Sequence, residues 1–386
     1  MKYQWIQRVG ALGLVFFSFF LESCSKIGSP YNSGVAEEPY IDPHIIFTSK
    51  RWWNYDIYIT DIYGGHMTHL TKNNWLDFNP AISSDGTKLA FVSDRDNGNR
   101  EIYTVDLLWM DGYTQWEGRN LTNITQTSGH DWTPKFSPTH EKIVYTTYSP
   151  ETDNYDVFLM NFDGSGKINL TNTPWYEKYP QFSPDGSFII YQTWFKAGRG
   201  KPYTMEIFFS NLLDENNLNL TQNSSSHDII PKGNAFSPDG SKIVFTSERD
   251  GNQEIYLMNI DNAYTGPFWT EGIEQIRLTD HPAQDLEPEF SPDGRHIVFT
   301  SNRDGNREIY RMDADGGNLV NLTNNDADDW SPRYYPDNYK IIFQSLRDGP
   351  TNWEIYVMKT DGSRPTNLTN HPRTDYSFVV LPLQNP

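Results

Sequence analysis

One motif order recurs seven times along this chain, and that recurrence limits its fold more than any other feature. The clearest copy runs Pro288-Glu-Phe-Ser-Pro-Asp-Gly294, then His296-Ile-Val-Phe-Thr-Ser301, Arg303-Asp-Gly-Asn306, Glu308-Ile-Tyr-Arg-Met312 and Leu319-Val-Asn-Leu-Thr323. A neighbouring copy repeats it from Phe236 to Thr279. Each copy holds four short runs rich in β-branched and aromatic residues, divided by turn residues, so each predicts four strands, A to D. Ser-Pro-Asp-Gly makes the turn after strand A, because Pro presets φ and Gly accepts a positive one. Strand B is counted by Phe47, Phe91, Tyr145, Tyr191, Phe245, Phe299 and Phe343. Strand C is counted by Tyr58, Tyr103, Phe158, Phe208, Tyr256, Tyr310 and Tyr356. Strand D ends at Thr71, Thr122, Thr171, Thr221, Thr279, Thr323 and Thr369.

Units that cannot bury their apolar faces alone must stack on one another. The expected fold is all-β: a seven-bladed β-propeller of four-stranded blades. Six A strands are expected to begin near Pro80, Pro134, Pro180, Pro231, Pro288 and Pro332. The first repeat lacks one, and the C-terminal run Tyr376–Leu381 can supply it, closing the ring and hiding two strand edges. These repeats resemble the TolB-type, WD-like propeller repeats of bacterial periplasmic proteins. The resemblance spans roughly residues 44–382 and implies a relative in fold. It departs from the family's namesake, which carries six blades behind an α/β domain.

Ahead of the repeats, Lys2 and Arg8 precede an apolar run from Val9 to Phe20, of signal-peptide length. The sequence Leu21-Glu22-Ser23-Cys24 resembles a bacterial lipobox, with Glu22 departing from the usual small or apolar residue. The resemblance implies cleavage before Cys24 and lipidation of its sulfur. Ser25 behind it favours, by the same resemblance, the outer membrane. Three segments result: a signal peptide at 1–23, a Gly/Ser/Pro-rich tether at 24–43 and a single propeller domain at 44–386. Cys24 is the only cysteine, so stability must come from burial rather than disulfides. The expected address is the bacterial cell envelope, with the membrane met only through the lipid.

The formal net charge is −19, which makes nucleic acid a poor partner. Aligned on the A-strand prolines, every D-to-A loop carries an acid three residues earlier: Asp77, Asp131, Glu177, Asp228, Asp285 and Asp329, with Asp375 from the C-terminal run. These loops share a face with the B-to-C loops. The B-to-C loops repeat Arg51, Arg95, Arg249, Arg303 and Arg347, each followed by a second acid at the start of strand C. A guanidinium fork suits a carboxylate, so one reading makes each Arg a brace for its own blade. The other makes the rim a binding face that stays acidic, because five Arg cannot neutralise fourteen carboxylates. Trp75, Trp132, Trp175 and Trp330 lie in the same D-to-A loops, and Trp52, Trp53, Trp194 and Trp353 in B-to-C segments. Aromatic rings of this kind stack on sugars, anchor protein partners or pack between blades. His130-Asp131 and His227-Asp228 form a weak candidate set for a divalent metal, and rim carboxylates a candidate for calcium. No cofactor is otherwise expected.

The sequence contains no Gly-x-Ser-x-Gly elbow, Walker loop, dinucleotide fingerprint or His-Glu-x-x-His. The expected function is a non-enzymatic scaffold that meets a cell-envelope protein or peptide through an acidic, aromatic mouth. Two alternatives stand beside it: a glycan-binding lipoprotein, and a lyase or hydrolase with a rim active site.

Overall fold

The structure is a computed structural model that describes residues 44–382 apart from 52–53, 111–114, 140, 197–202, 213–216, 224–225 and 261–273. The expected leader, Cys24 and the tether lie outside the described residues, as do Trp52, Trp53, Phe268 and Trp269.

Seven antiparallel four-stranded sheets form the blades of a ring. Blades two to seven take their strands in chain order, and blade one takes its inner strand from the end of the chain. That strand, Asp375–Val380, pairs with strand B of blade one, His44–Ser49, through Ile45 opposite Val380 and Ser49 opposite Asp375. Closure by the C-terminal strand therefore occurs as the sequence led us to expect.

The blades are held by seven apolar clusters, each shared by two neighbours. Phe188 and Phe209 of blade four pack with Phe236 and Phe245 of blade five. Ile45, Phe47 and Tyr58 of blade one pack with Tyr335, Ile342 and Ile355 of blade seven, so the ring also closes through its core. The strand B aromatics counted in the sequence sit at these interfaces, all at most 2% exposed. Their alternation in Ile-Val-Phe runs buries both faces of strand B, as a sheet sandwiched between two others requires.

Three details differ from the sequence expectation. The inner strands begin about three residues before the expected prolines, at or just before the repeated acid: Asp77–Ile82, His130–Phe136, Tyr176–Phe182, Asp285–Phe290 and Asp329–Tyr334. The proline falls inside the strand, at a bulge. A sheet edge tolerates this, because the missing N–H is not needed for pairing. In blade two, the hydroxyl that accepts from strand C belongs to Thr125 rather than Thr122, because strand D there is longer, Gln115–Asn123. In blade five the inner strand shrinks to Asp228–Ile229 and continues as a loop through Pro231, Lys232 and Gly233.

Candidate functional site: the channel mouth

The repeated acids come together on one face, but not at its surface. Asp77, Asp131, Asp228, Asp285, Asp329 and Asp375 are 0% exposed and Glu177 is 1% exposed. In five blades the acid is braced by that blade's own arginine. The N–O distances are 3.1 Å for Arg51–Asp375, 2.9 Å for Arg95–Asp77, 3.0 Å for Arg249–Asp228, 2.8 Å for Arg303–Asp285 and 2.7 Å for Arg347–Asp329. The same guanidinium donates through Nε to the last serine of strand B, as from Arg95 to Ser93 at 2.8 Å. It also lies over the strand C tyrosine, at 4.5 Å for Tyr103 and 5.0 Å for Tyr58. Each Arg thus ties strands A, B and C of one blade together.

The second set of acids, at the start of strand C, does a different job. Glu254 accepts from the Thr279 hydroxyl at 2.6 Å and the His281 N–H at 3.0 Å. Glu354 accepts from the Thr369 hydroxyl, and from the His371 N–H at 2.9 Å. These carboxylates pin the D-to-A loop to its blade. The fourteen acids therefore do not make an acidic surface, contrary to the expectation. Most of their oxygens are engaged in hydrogen bonds inside the fold, as buried carboxylates require, while one oxygen each of Asp56, Glu177, Asp228, Asp329 and Asp375 is buried without such a partner.

Blades three and four break the pattern. Ser149 and Phe195 stand where the other blades carry Arg. Asp131 then relies on hydroxyls, from Thr147 at 2.8 Å and Thr127 at 3.1 Å. Burial pushes its carboxyl well above the ordinary range, and the nearby Glu101 carboxylate adds to the rise. Glu177 accepts from the Thr173 hydroxyl. Burial, helped by the Asp156 charge, pushes it up to about 8.

The rim aromatics divide. Trp75 and Trp175 are 45% and 37% exposed. Trp132 sits under the Arg100 guanidinium at 4.1 Å, and Trp330 under Arg307 at 4.6 Å. His130 accepts from the Arg100 N–H at 3.2 Å and stacks on Tyr148, two blades away from the other candidate pair, His227 and Asp228. Among the described residues, no three His, Cys, Asp or Glu converge to hold a metal. The aromatic pair Trp109–Trp116, on the opposite side, packs on His44.

What sequence reasoning missed is the channel itself. A cavity of about 520 Å³ lies among the inner strands, which enter from the D-to-A loops. Its walls include Trp132, Tyr155, Lys178, Tyr179, Tyr376 and Phe378, and deeper in lie Lys135, Gln181, Pro231 and Arg333. This is within the size range of ligand pockets. The inner strands that line it bulge at one residue each, with a left-handed backbone: Asn79, Thr133, Tyr179, Glu287, Ser331 and Ser377, with φ from 50° to 57°. Five of these six precede the A-strand proline. Non-glycine residues enter this region at a cost, and such positions gather at functional sites. The recurring x-Pro inside a strand was the available signal, because proline within a strand marks an edge or a bulge.

The channel floor is polar and cross-linked. Arg333 of blade seven meets Glu289 at 3.3 Å and Glu287 at 3.5 Å, both from blade six. Glu287 and Glu289 in turn accept from the Lys232 and Asn234 N–H groups of the broken blade-five strand, at 3.0 and 3.2 Å. Gln181 of blade four closes the set, donating to the Pro231 carbonyl at 2.7 Å and accepting from the Ala235 N–H at 2.9 Å. Above this floor, Lys178 Nζ lies 3.5 Å from the Tyr155 ring centre and 5.1 Å from that of Trp194.

A closed ring of seven four-stranded blades with a cavity among its inner strands defines a seven-bladed β-propeller. The TolB β-propeller domain family matches residues 216–369. A protein of Agrobacterium fabrum is 37% identical over 84 residues, 22% of this chain and 25% of that protein. The Tol-Pal system protein TolB of Bordetella pertussis is 34% identical over 155 residues, 31% of this chain and 34% of TolB. The chain thus matches between a quarter and about a third of the length of these curated relatives. Among solved structures, an oligogalacturonate lyase in complex with manganese superposes with a TM-score of 0.62 at 17% identity, covering 82% of this chain and 85% of that one. The β-propeller domain of the Trilobed protease from Pyrococcus furiosus gives 0.59 at 11% identity, over 86% and 95%. At these identities the likeness is one of fold.

Proposed function

We propose that this protein is a non-enzymatic scaffold of the bacterial cell envelope that binds a protein or peptide partner at the channel mouth. The observation that carries the reading is the cavity of about 520 Å³, walled by aromatic rings on rigid inner strands and flanked by exposed Trp75 and Trp175. Rings that are amphipathic and already fixed in place lose little entropy on binding and supply the anchors of protein interfaces. The rim acids carry no part of this reading, since all seven are buried. Their place is taken by the aromatic wall that they and the arginines hold up. The TolB-type repeats support an envelope setting. The lipobox-like Leu21-Glu22-Ser23-Cys24 supports a lipid anchor, preferably in the outer membrane.

Site-directed photo-crosslinking in intact cells tests this. A crosslinker placed at Trp75 or Tyr179, on the mouth, is expected to capture one discrete envelope protein. A crosslinker at Tyr339, 74% exposed on the opposite face, is not. Equal capture from both faces would sink the proposal.

A further inference from the structure

We infer that the channel mouth selects an acidic peptide segment, whose carboxylates meet Lys135 and Lys178 while its backbone follows the free edges of the inner strands. This rests on the proposed binding role of the mouth and names the chemistry of its occupant.

The first support is charge. The chain as a whole carries −19, yet its channel is cationic. Each of the five blade arginines at this face is answered by a buried carboxylate. Lys135 and Lys178 line the cavity and form no ion pair among the described residues. The two carboxylates of the floor, Glu287 and Glu289, are already engaged with Arg333 and with backbone N–H groups. Lys135, Lys178, Lys232 and Arg333 against Glu287 and Glu289 leave a surplus of two positive charges. In a cavity with low-dielectric walls such a surplus focuses its field on an incoming anion. Burial, with the Arg333 charge adding and the Glu289 carboxylate opposing, pushes Lys135 down to about 8. A bound carboxylate offsets this shift.

The second support is shape and backbone. In every blade strand A is the sheet edge that faces the channel, paired on one side only. Free edges accept extended peptide through main-chain hydrogen bonds. The bulges at Thr133, Tyr179 and Ser331 break the run of each edge. A ligand that follows them must therefore be short, as the cavity volume also requires. Trp132 and Tyr179 offer apolar faces between the two lysines' blades, so the segment alternates acidic and apolar residues.

Calorimetric titration of the full chain in detergent decides the matter with three probes: a hexapeptide of alternating Glu and Leu, the same peptide with Lys for Glu, and trigalacturonate. The Glu peptide is expected to bind, to weaken as salt rises, and to lose at least tenfold in affinity to Lys135→Met combined with Lys178→Met. Lys178→Arg is expected to retain binding. Equal binding of the Lys peptide, no effect of the double substitution, or binding of trigalacturonate while the Glu peptide is silent would each overturn the inference. The double variant relieves repulsion and is expected to melt no lower than wild type. Should it melt lower, the charge-reversed peptide and the salt series on the wild-type protein decide alone. Mouth-specific crosslinking with a silent Glu peptide would leave the binding role standing and remove only this assignment.

Discussion

Glu289 and Arg333, from neighbouring inner strands, meet at 3.3 Å in the space above Gly233. A Cβ at residue 233 would lie 2.1 Å from Glu289 Oε2 and 2.5 Å from Arg333 Nε, so the ion pair and the glycine require each other. The pair in turn fixes the broken inner strand of blade five. Together with Gln181 it ties blades four to seven side by side through polar contacts of their inner strands.

Gly233→Ala is therefore expected to destabilise the ring by roughly 2–4 kcal/mol, since it displaces a mostly buried pair whose carboxylate is held by the Asn234 and Tyr334 N–H groups. Chemical denaturation of the purified protein measures this. An alanine variant as stable as wild type would show that the pair yields without cost.

The braced and unbraced acids should respond oppositely to neutralisation. Asp77→Asn leaves the Arg95 guanidinium short of its charge partner and is expected to cost about 2–3 kcal/mol. Asp131→Asn removes an acid that has no arginine and is expected to be neutral or stabilising at pH 7 or above. Urea midpoints of the two variants check the contrast, and equal losses would mean that the arginines do not act as braces.

The same two unbraced sites set a pH dependence. Glu177 is held up to about 8, against an unfolded value of 4.5. Between these values the folded state binds more protons than the unfolded one, so stability falls as pH rises through that window. Asp131 acts in the same direction through burial and Glu101. The protein is expected to melt higher at pH 5 than at pH 8, with a free-energy difference on the order of 2–4 kcal/mol. Glu177→Gln together with Asp131→Asn should flatten the profile. Melting curves across the range measure it, and a wild-type profile that rises toward pH 8 would refute the assignment.

Removing residues from 375 onward opens the ring. Strand B of blade one loses its inner partner, and Phe378, Val379, Val380 and Leu381 leave the apolar clusters on either side of that blade. Loss of a cooperative melt, or aggregation through the bared edge, is expected. Calorimetry and size-exclusion chromatography report both.

The anchor is tested separately. Cys24→Ala is expected to abolish incorporation of a fatty-acid analogue and to release the protein from membranes or leave it unprocessed. Absence of label on the wild-type protein would remove the lipoprotein reading.

The blade count, the strand order and the closure were all legible in the residues, for a physical reason. Turn chemistry and β-periodicity are local, and seven copies of one local solution permit few global ones. The Arg–Asp braces were half legible: the residue types matched, and a repeated pair implied a repeated contact. What the sequence could not convey was depth. Asp77 and Trp75 stand two residues apart, yet the first is sealed inside a blade and the second is exposed. That outcome depends on how neighbouring blades stack and not on either residue's own character. The channel was hidden for the same reason. Lys135 and Arg333 follow the A-strand prolines of two different repeats and Lys178 stands two residues before that of a third, so no single repeat shows them together, and Gly233 looks like any loop glycine. Only the closing of the ring brings their side chains to one axis, where the excess of positive charge in an acidic protein becomes a property of a place rather than of a composition.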